Sequence, residues 1–348
     1  MSPGQIARLL ILPPHCAWEP WTGRRPQETE DRELPFRLLA ERGYSYRRID
    51  VGRPPWNLWS NAHPLLRAID PLRALRVLLC ERRAAIAICS YEPSAFILIL
   101  LRAVLRSKLK VVVFDVGVPG EWRLRDVILD LVVPHADAVL PVGSNQAAAI
   151  LARWKLRGFL QVVPICTDCD FYVMAEDRPD GPILSIGDDL SRDYDTLMTA
   201  TIGFPGSIAV RTRLIRPSAV TQPNVTILSA PLEQIAYRDL IATALIVVLP
   251  LHPSNHAGGV SVLLQAMASG KAVVVSQTEG LADYIRPGET CLVVPPHDPL
   301  ALRAAMLKLV SDPALRIALG KAARAHLVAR LSLPAEADML EAVIRRLI

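Results

Sequence analysis

Cysteine is scarce: six residues in 348, at positions 16, 80, 89, 166, 169 and 291, too few and too scattered for the disulfide framework of a small secreted domain. The one close pair, Cys166 and Cys169, has no second CxxC and no histidine at zinc-ligand spacing, so it reads as an ordinary loop and no metal centre is expected. Long apolar runs are lacking as well. The longest lies within Ser94 to Leu101 and is closed by Arg102, far short of the roughly 20 residues that span a bilayer. The first apolar stretch, Ile6 to Leu12, ends in Pro13-Pro14 where a signal peptide would carry small residues, and the expectation is a cytoplasmic chain. No zinc-finger, RNP or helix-turn-helix pattern accompanies the dispersed basic residues, so nucleic acid is not an expected partner.

Apolar residues make up 51% of the chain and charged ones 21%, with 18 Gly and 29 Pro, a balance that excludes disordered, collagenous and coiled-coil classes. The length suits about two domains. The net charge of +5 is unevenly placed. Residues 1–170 hold 23 Lys/Arg against 17 Asp/Glu, whereas 171–348 hold 16 against 17. Such a basic front half steers a protein towards anionic surfaces, or is simply a set of solvated helix faces.

Strand and helix alternate along the whole chain. Short apolar strands are expected at Ile6–Leu12, Tyr44–Val51, Ala85–Cys89, Lys110–Phe114 and Ala138–Pro141, separated by helices near 32–42, 71–83, 94–106, 124–133 and 145–154. An acidic, loop-like stretch at 166–181 reads as a linker. A second series follows, with strands at Ile183–Ile186, Ser207–Arg211, Val225–Leu228, Leu245–Leu249, Ala272–Val275 and Cys291–Val294, and closing helices at 299–310 and 313–329. The fold class is α/β, with two doubly wound, Rossmann-like domains at 1–165 and 182–334, and any ligand is expected at their strand carboxyl ends.

The most informative stretch runs from Gly258-Gly259 through Val260, Ser261 and Gln265-Ala-Met-Ala-Ser-Gly270 to a valine-rich strand. Two glycines that open a helix after a strand leave backbone N–H groups and the positive helix end free for a phosphate or diphosphate. A tight strand-to-helix turn with no ligand would use the same two glycines. With Glu279-Gly280-Leu281, Pro287-Gly288, Val294-Pro295-Pro296 and Ser311-Asp312-Pro313 in order behind it, the segment 250–332 resembles the carboxyl-terminal domain of family-4-type glycosyltransferases. These are the retaining enzymes of the GT-B fold. Upstream, Val163-Pro164-Ile165, Asp168, Asp170, Phe171 and Ile186-Gly187 are similar to the family's linker and the opening of its second domain; before that the likeness is one of element order.

The resemblance implies transfer of a sugar from a nucleotide-sugar donor to a glycan, lipid-linked sugar or small-molecule acceptor, with retention. The nucleotide sugar is a co-substrate, and neither a cofactor nor a metal is implied. Donor contacts fall on Gly187, Arg192, His256, Gly258, Gly259, Val260, Ser261, Gln265, Glu279, Gly280 and Leu281, with Arg192, Gln265 and His15 in the catalytic roles, and 335–348 is expected to form a last helix returning to the first domain.

Four positions depart from the family pattern. Gly187-Asp188 stands where a Gly-Arg turn is usual, and the second cation matches Arg192 only one residue out of register. The paired glutamates become Ala257 and Gln265. Gln265 can still hydrogen-bond a ribose hydroxyl, whereas Ala257 cannot, and Asp188 would repel a phosphate. The alternative reading is therefore a catalytically silent GT-B module that binds nucleotide sugar or a partner transferase. A GT-B epimerase or phosphorylase has no supporting residue constellation. His252 and His256, beside the glycine turn, read either as phosphate or sugar contacts or as polar loop residues. Trp18, Trp21, Trp56 and Trp59 crowd two loops behind the first strands, where indoles either stack on an acceptor sugar, sit at a membrane surface or plug the loops. Together with the basic half they raise the expectation of peripheral contact with an anionic membrane.

Overall fold

The computed structural model describes residues 6–13, 29–51, 69–117 and 123–348. They form two compact units. The first takes in Glu33–Pro164, the opening strand and Glu336–Ile348; the second takes in Ile165–Ala335 together with the short stretch around Asp31.

The first unit is built on β1 (Arg8–Leu12), β2 (Ser45–Arg48), β3 (Ile86–Ser90), β4 (Lys110–Phe114), β5 (Ala138–Leu140) and β6 (Phe159–Leu160). All pair in parallel, in the order β2-β1-β3-β4-β5-β6. Its helices are α1 (Leu34–Glu41), α2 (Pro71–Cys80), α3 (Glu92–Val104), α4 (Arg123–Val132) and α5 (Ser144–Arg153). Both faces of the sheet are covered, which is why its inner strands β1, β3, β4 and β5 are mostly apolar instead of alternating, whereas the edge strand β2 carries Arg47 and Arg48. Leu10, Leu12, Ala87, Cys89, Val111 and Val113 pack with Val77, Leu98 and Leu129 on one face. Leu9, Ile11, Ile86, Ile88 and Val112 lie on the other, with Phe36 and Leu39. Two strands depart from expectation. β2 is shorter than 44–51, and β6, only two half-buried residues, carries no periodic signal and exists because β5 offers it an edge.

The second unit repeats the plan with β7 (Ile183–Ile186), β8 (Ile208–Arg211), β9 (Val225–Leu228), β10 (Ile246–Leu249), β11 (Val273–Ser276) and β12 (Leu292–Val294), in the parallel order β12-β11-β10-β7-β8-β9. Its helices are α6 (Tyr194–Ala200), α7 (Gln234–Thr243), α8 (Val260–Ala268), α9 (Pro299–Ser311) and α10 (Pro313–Arg330). Helix starts follow a local rule in both units. Asp70-Pro71, Asp298-Pro299 and Asp312-Pro313 each place a carboxylate at the cap, accepting from the amides of Arg73, Ala301 and Leu315, with a preset proline at the first helical position. The last helix, α11 (Leu333–Leu347), begins in the second unit and ends in the first, where Leu340, Val343 and Ile344 join the core around Leu9 and Ile11 and Arg42 pairs with Asp338 and Glu341. Among the described residues no helix is long and apolar enough to cross a membrane.

Both sheets reverse their winding once. In the second, the chain runs outward from β7 to β8 and β9, then returns to place β10 on the opposite side of β7. The crevice beyond the carboxyl ends of β7 and β10 is therefore the topological switch point, where doubly wound sheets bind ligands.

Candidate functional site

The loops leaving β7 and β10 meet at that switch point. Arg192 and Leu251 pair as an isolated antiparallel bridge; the amide of Asp193 donates to Pro250 O at 3.0 Å and that of His252 to Ser191 O at 2.9 Å. Tyr194 Oη donates to Gly187 O at 2.8 Å and closes the loop from below. The outcome is a fixed position for Arg192.

The Arg192 side chain is 2% exposed, and its Nε and Nη1 have no hydrogen-bond partner among the described residues; Nη2 lies 3.4 Å from Asp189 Oδ2. It fills the space between two glycines. A Cβ on Gly187 would lie 1.9 Å from Arg192 Nε, and one on Gly259 would lie 2.3 Å from Nη1. Gly259 also has φ of +79° and caps α8 without any side-chain bond, a conformation that glycine adopts at little cost. Buried donors without acceptors are expensive. Here Nη1 lies beside Gly259, the cap of α8, and a helix leaves its first-turn amides without intrahelical acceptors. The arrangement suits an anion with several oxygens.

Asp188, expected to repel such an anion, is turned towards β8. It accepts from the amide of Arg213 at 2.7 Å, from Arg213 Nε at 3.0 Å and from Arg211 Nη1. Burial opposes its ionisation, but these bonds win and hold the carboxyl below its usual range. Its charge is thus met within its own surroundings, by two arginines that sequence reasoning did not single out.

Gln265 projects from the sixth residue of α8. It is 7% exposed, and its Oε1 is buried without a partner among the described residues. Ala257 packs against the core beside it. Glu279, Gly280 and Leu281 form a single 3-10 turn behind β11, in which Gly280 N donates to Ser254 O at 3.1 Å and Glu279 faces solvent. Val260 and Leu281 point into the core, so only their backbone is available to a ligand. Ser254, Asn255, Gln277, Thr278 and Glu279 line a cavity of about 540 Å³. His256 is half-buried, with its amide donating to Ser254 Oγ. His15 and the four loop tryptophans fall outside the described residues.

Two groupings were not foreseen. The first is Asp193, His252 and His297. Asp193 caps α6, and His297 Nδ1 lies 2.8 Å from its Oδ2, with His252 Nδ1 at 4.0 Å. Burial raises the Asp193 carboxyl's pKa, but the two Thr196 bonds and the histidines outweigh it and leave the group below its usual range. The second lies at the carboxyl edge of the first sheet, where Tyr91 and Asp115 are both left-handed, with φ of 62° and 56°. Strained positions of this kind gather at functional sites. Desolvation, opposed by a bond from Tyr91 and aided by the nearby Glu92, pushes Asp115 up to about 6. Glu92 itself is fully buried against Arg125. A signal for these residues existed only in their placement just behind apolar strands.

Two doubly wound units, each on a six-stranded parallel sheet, give the fold of the GT-B glycosyltransferases. Residues 230–326 match the family described as glycosyl transferases group 1, and the second unit carries that family's segment. Over 96 residues the chain is 40% identical to the lipopolysaccharide core biosynthesis mannosyltransferase LpcC of Rhizobium leguminosarum bv. viciae, covering 28% of this chain and 27% of that one. Over 95 residues it is 38% identical to the D-inositol 3-phosphate glycosyltransferase of Corynebacterium jeikeium, covering 27% and 22%. These alignments span about a quarter of the relatives' length. Across 98% of this chain and 99% of the other, the fold is similar to sucrose-phosphate synthase from Thermosynechococcus elongatus, with a TM-score of 0.72 at 18% identity. Anabaena HepE in complex with UDP is similar over 97% and 100%, with a TM-score of 0.70 at 13% identity.

Proposed function

We propose that the protein is a glycosyltransferase that moves a sugar from a nucleotide-sugar donor to a glycan, lipid-linked or small-molecule acceptor with retention, and that the second unit holds the donor. The observation that carries this reading is the buried Arg192 guanidinium with two unpartnered nitrogens, set between Gly187 and Gly259 at the start of α8. A diphosphate would supply the missing acceptors, and the helix end adds a favourable field. The chemistry of such transfer rests on positioning and on stabilising the departing nucleotide, and it needs no covalent work from a side chain. Ala257 favours a second reading, a silent module that binds the same donor, because it supplies no carboxylate. A panel of nucleoside diphosphates tests both: a true ligand at 100 times its dissociation constant adds about 2.7 kcal/mol of stability, and slow donor hydrolysis separates enzyme from module. Stabilisation by none of them would sink donor binding altogether.

Gln265 is assigned to the nucleotide ribose, because its buried Oε1 lacks a donor and ribose hydroxyls provide one. Gln265→Ala is expected to weaken binding of the nucleoside diphosphate by about 1 kcal/mol, while Gln265→Glu keeps most of the affinity. Equal binding of base-free pyrophosphate by all three proteins is the accompanying expectation. Calorimetry that finds the alanine variant unchanged towards the nucleotide removes the assignment.

The basic amino-terminal half supports a cytoplasmic protein held peripherally at an anionic membrane, since each Lys or Arg near such a surface contributes about 1 kcal/mol. Co-sedimentation with phosphatidylserine vesicles at low salt should exceed that with neutral vesicles and fade as salt rises. Equal partitioning, or none, ends the membrane reading.

A further inference from the structure

We propose that Asp193, His252 and His297 form a binding site for a divalent transition-metal ion of the zinc class. One ligand atom from each lies within 4.8 Å of the others. The three residues come from separate loops, behind β7, β10 and β12, that parallel pairing brings to one edge of the sheet. Two imidazoles and a carboxylate are a nitrogen-rich set that suits Zn²⁺, Co²⁺ or Ni²⁺ better than Ca²⁺ or Mg²⁺, which prefer oxygen alone.

Three further observations bear on the site. The carboxylate is oriented from behind, because Asp193 Oδ1 accepts from Thr196 N at 3.0 Å and Oδ2 from Thr196 Oγ1 at 2.7 Å. Outer-shell bonds of this kind align a ligating group. His297 sits at φ of 59°, an unfavourable backbone for a residue with a side chain, and this brings its ring beside both Asp193 and His252, whose ring centroid is 5.1 Å away. Finally, the His252 and His297 side chains are 45% and 54% exposed, so an ion has an entry path, the rings can close on it, and water can complete its shell. A site with three protein ligands and open positions results.

Arg192 directly precedes Asp193, and its bridge partner Leu251 directly precedes His252. A bound ion would therefore tie together the loops that hold Arg192. Metal binding itself stands independently of the transferase reading.

The test uses the full chain without a histidine tag, stripped by chelation and titrated with Zn²⁺ alone in a calorimeter, and with Co²⁺ followed by visible absorption. One ion per chain is expected, with visible absorption of low-coordinate cobalt. His252→Gln and His297→Gln should each weaken binding at least tenfold, and the double variant should abolish this site while unfolding near the parent temperature in chelator. Binding by the double variant with the parent's stoichiometry and affinity would overturn the proposal. So would a parent that takes up no Zn²⁺, which would leave the two histidines as hydrogen-bonding neighbours of Asp193.

Discussion

Arg192→Ala is expected to weaken nucleoside diphosphate binding by about 1.5 to 3 kcal/mol, or about 10- to 150-fold, the range for charge-assisted hydrogen bonds, and to leave thermal stability nearly unchanged. The second half of that expectation is the sharper one. An arginine that serves the fold donates to the fold, and its removal orphans acceptors. Among the described residues Arg192 Nε and Nη1 have no acceptor, and Nη2 faces Asp189, a carboxylate that is 49% exposed, at 3.4 Å, so truncation leaves no buried acceptor behind. Arg192→Lys should recover only part of the affinity, because a point charge replaces a planar fork. Gly259→Ala attacks the same group from the other side, since its Cβ would lie 2.3 Å from Nη1 and must displace it. The two changes should therefore be less than additive in a double-mutant cycle. Diphosphate affinity that survives Arg192→Ala in calorimetry would sink the assignment.

Arg316→Ala should produce the largest loss of stability, about 2 kcal/mol in the carboxyl-terminal unit, because a buried guanidinium's charge-assisted bonds to Leu309 O and the partly exposed Asp177 are lost together. The Arg316 side chain is 3% exposed. Its Nε and Nη2 grip Asp177 at 2.9 and 2.6 Å, while Nη1 donates to Leu309 O at 2.8 Å at the end of α9. One guanidinium thus ties the stretch before β7 to two helices. The Arg316 bond, acting against burial, holds the Asp177 carboxyl below its usual range. A depressed carboxylate contributes stability that is present above its unfolded value, about 4, and is lost as pH falls through the folded value beneath it. Urea unfolding should accordingly show the difference between parent and variant in full at pH 7 and shrinking below pH 4. A difference that is absent at pH 7, or that grows on acidification, contradicts the pairing.

The elements were legible because their causes are local. An all-apolar run of four or five residues, closed by a helix that opens with Asp-Pro, announces a strand of a covered parallel sheet and the cap behind it. Gly258-Gly259 likewise marked a helix start. Where the cause was not local, sequence reading fell short. β6 is a two-residue strand that only an open edge creates. Asp188 read as a charge facing the ligand, yet arginines 23 and 25 residues further on turn it aside.

What the sequence determined by itself is therefore the period of each segment, the ends of its helices and the family likeness of its second half. The tertiary structure alone decided which loops became neighbours. Because the winding reverses after β9, β10 lies beside β7, and Arg192 meets Gly259 while Asp193 meets His252 and His297. A side chain's rotamer and capping preferences act over a turn or two, whereas strand order depends on which long-range pairing buries both faces of a sheet. No local pattern around Arg192 encodes that choice.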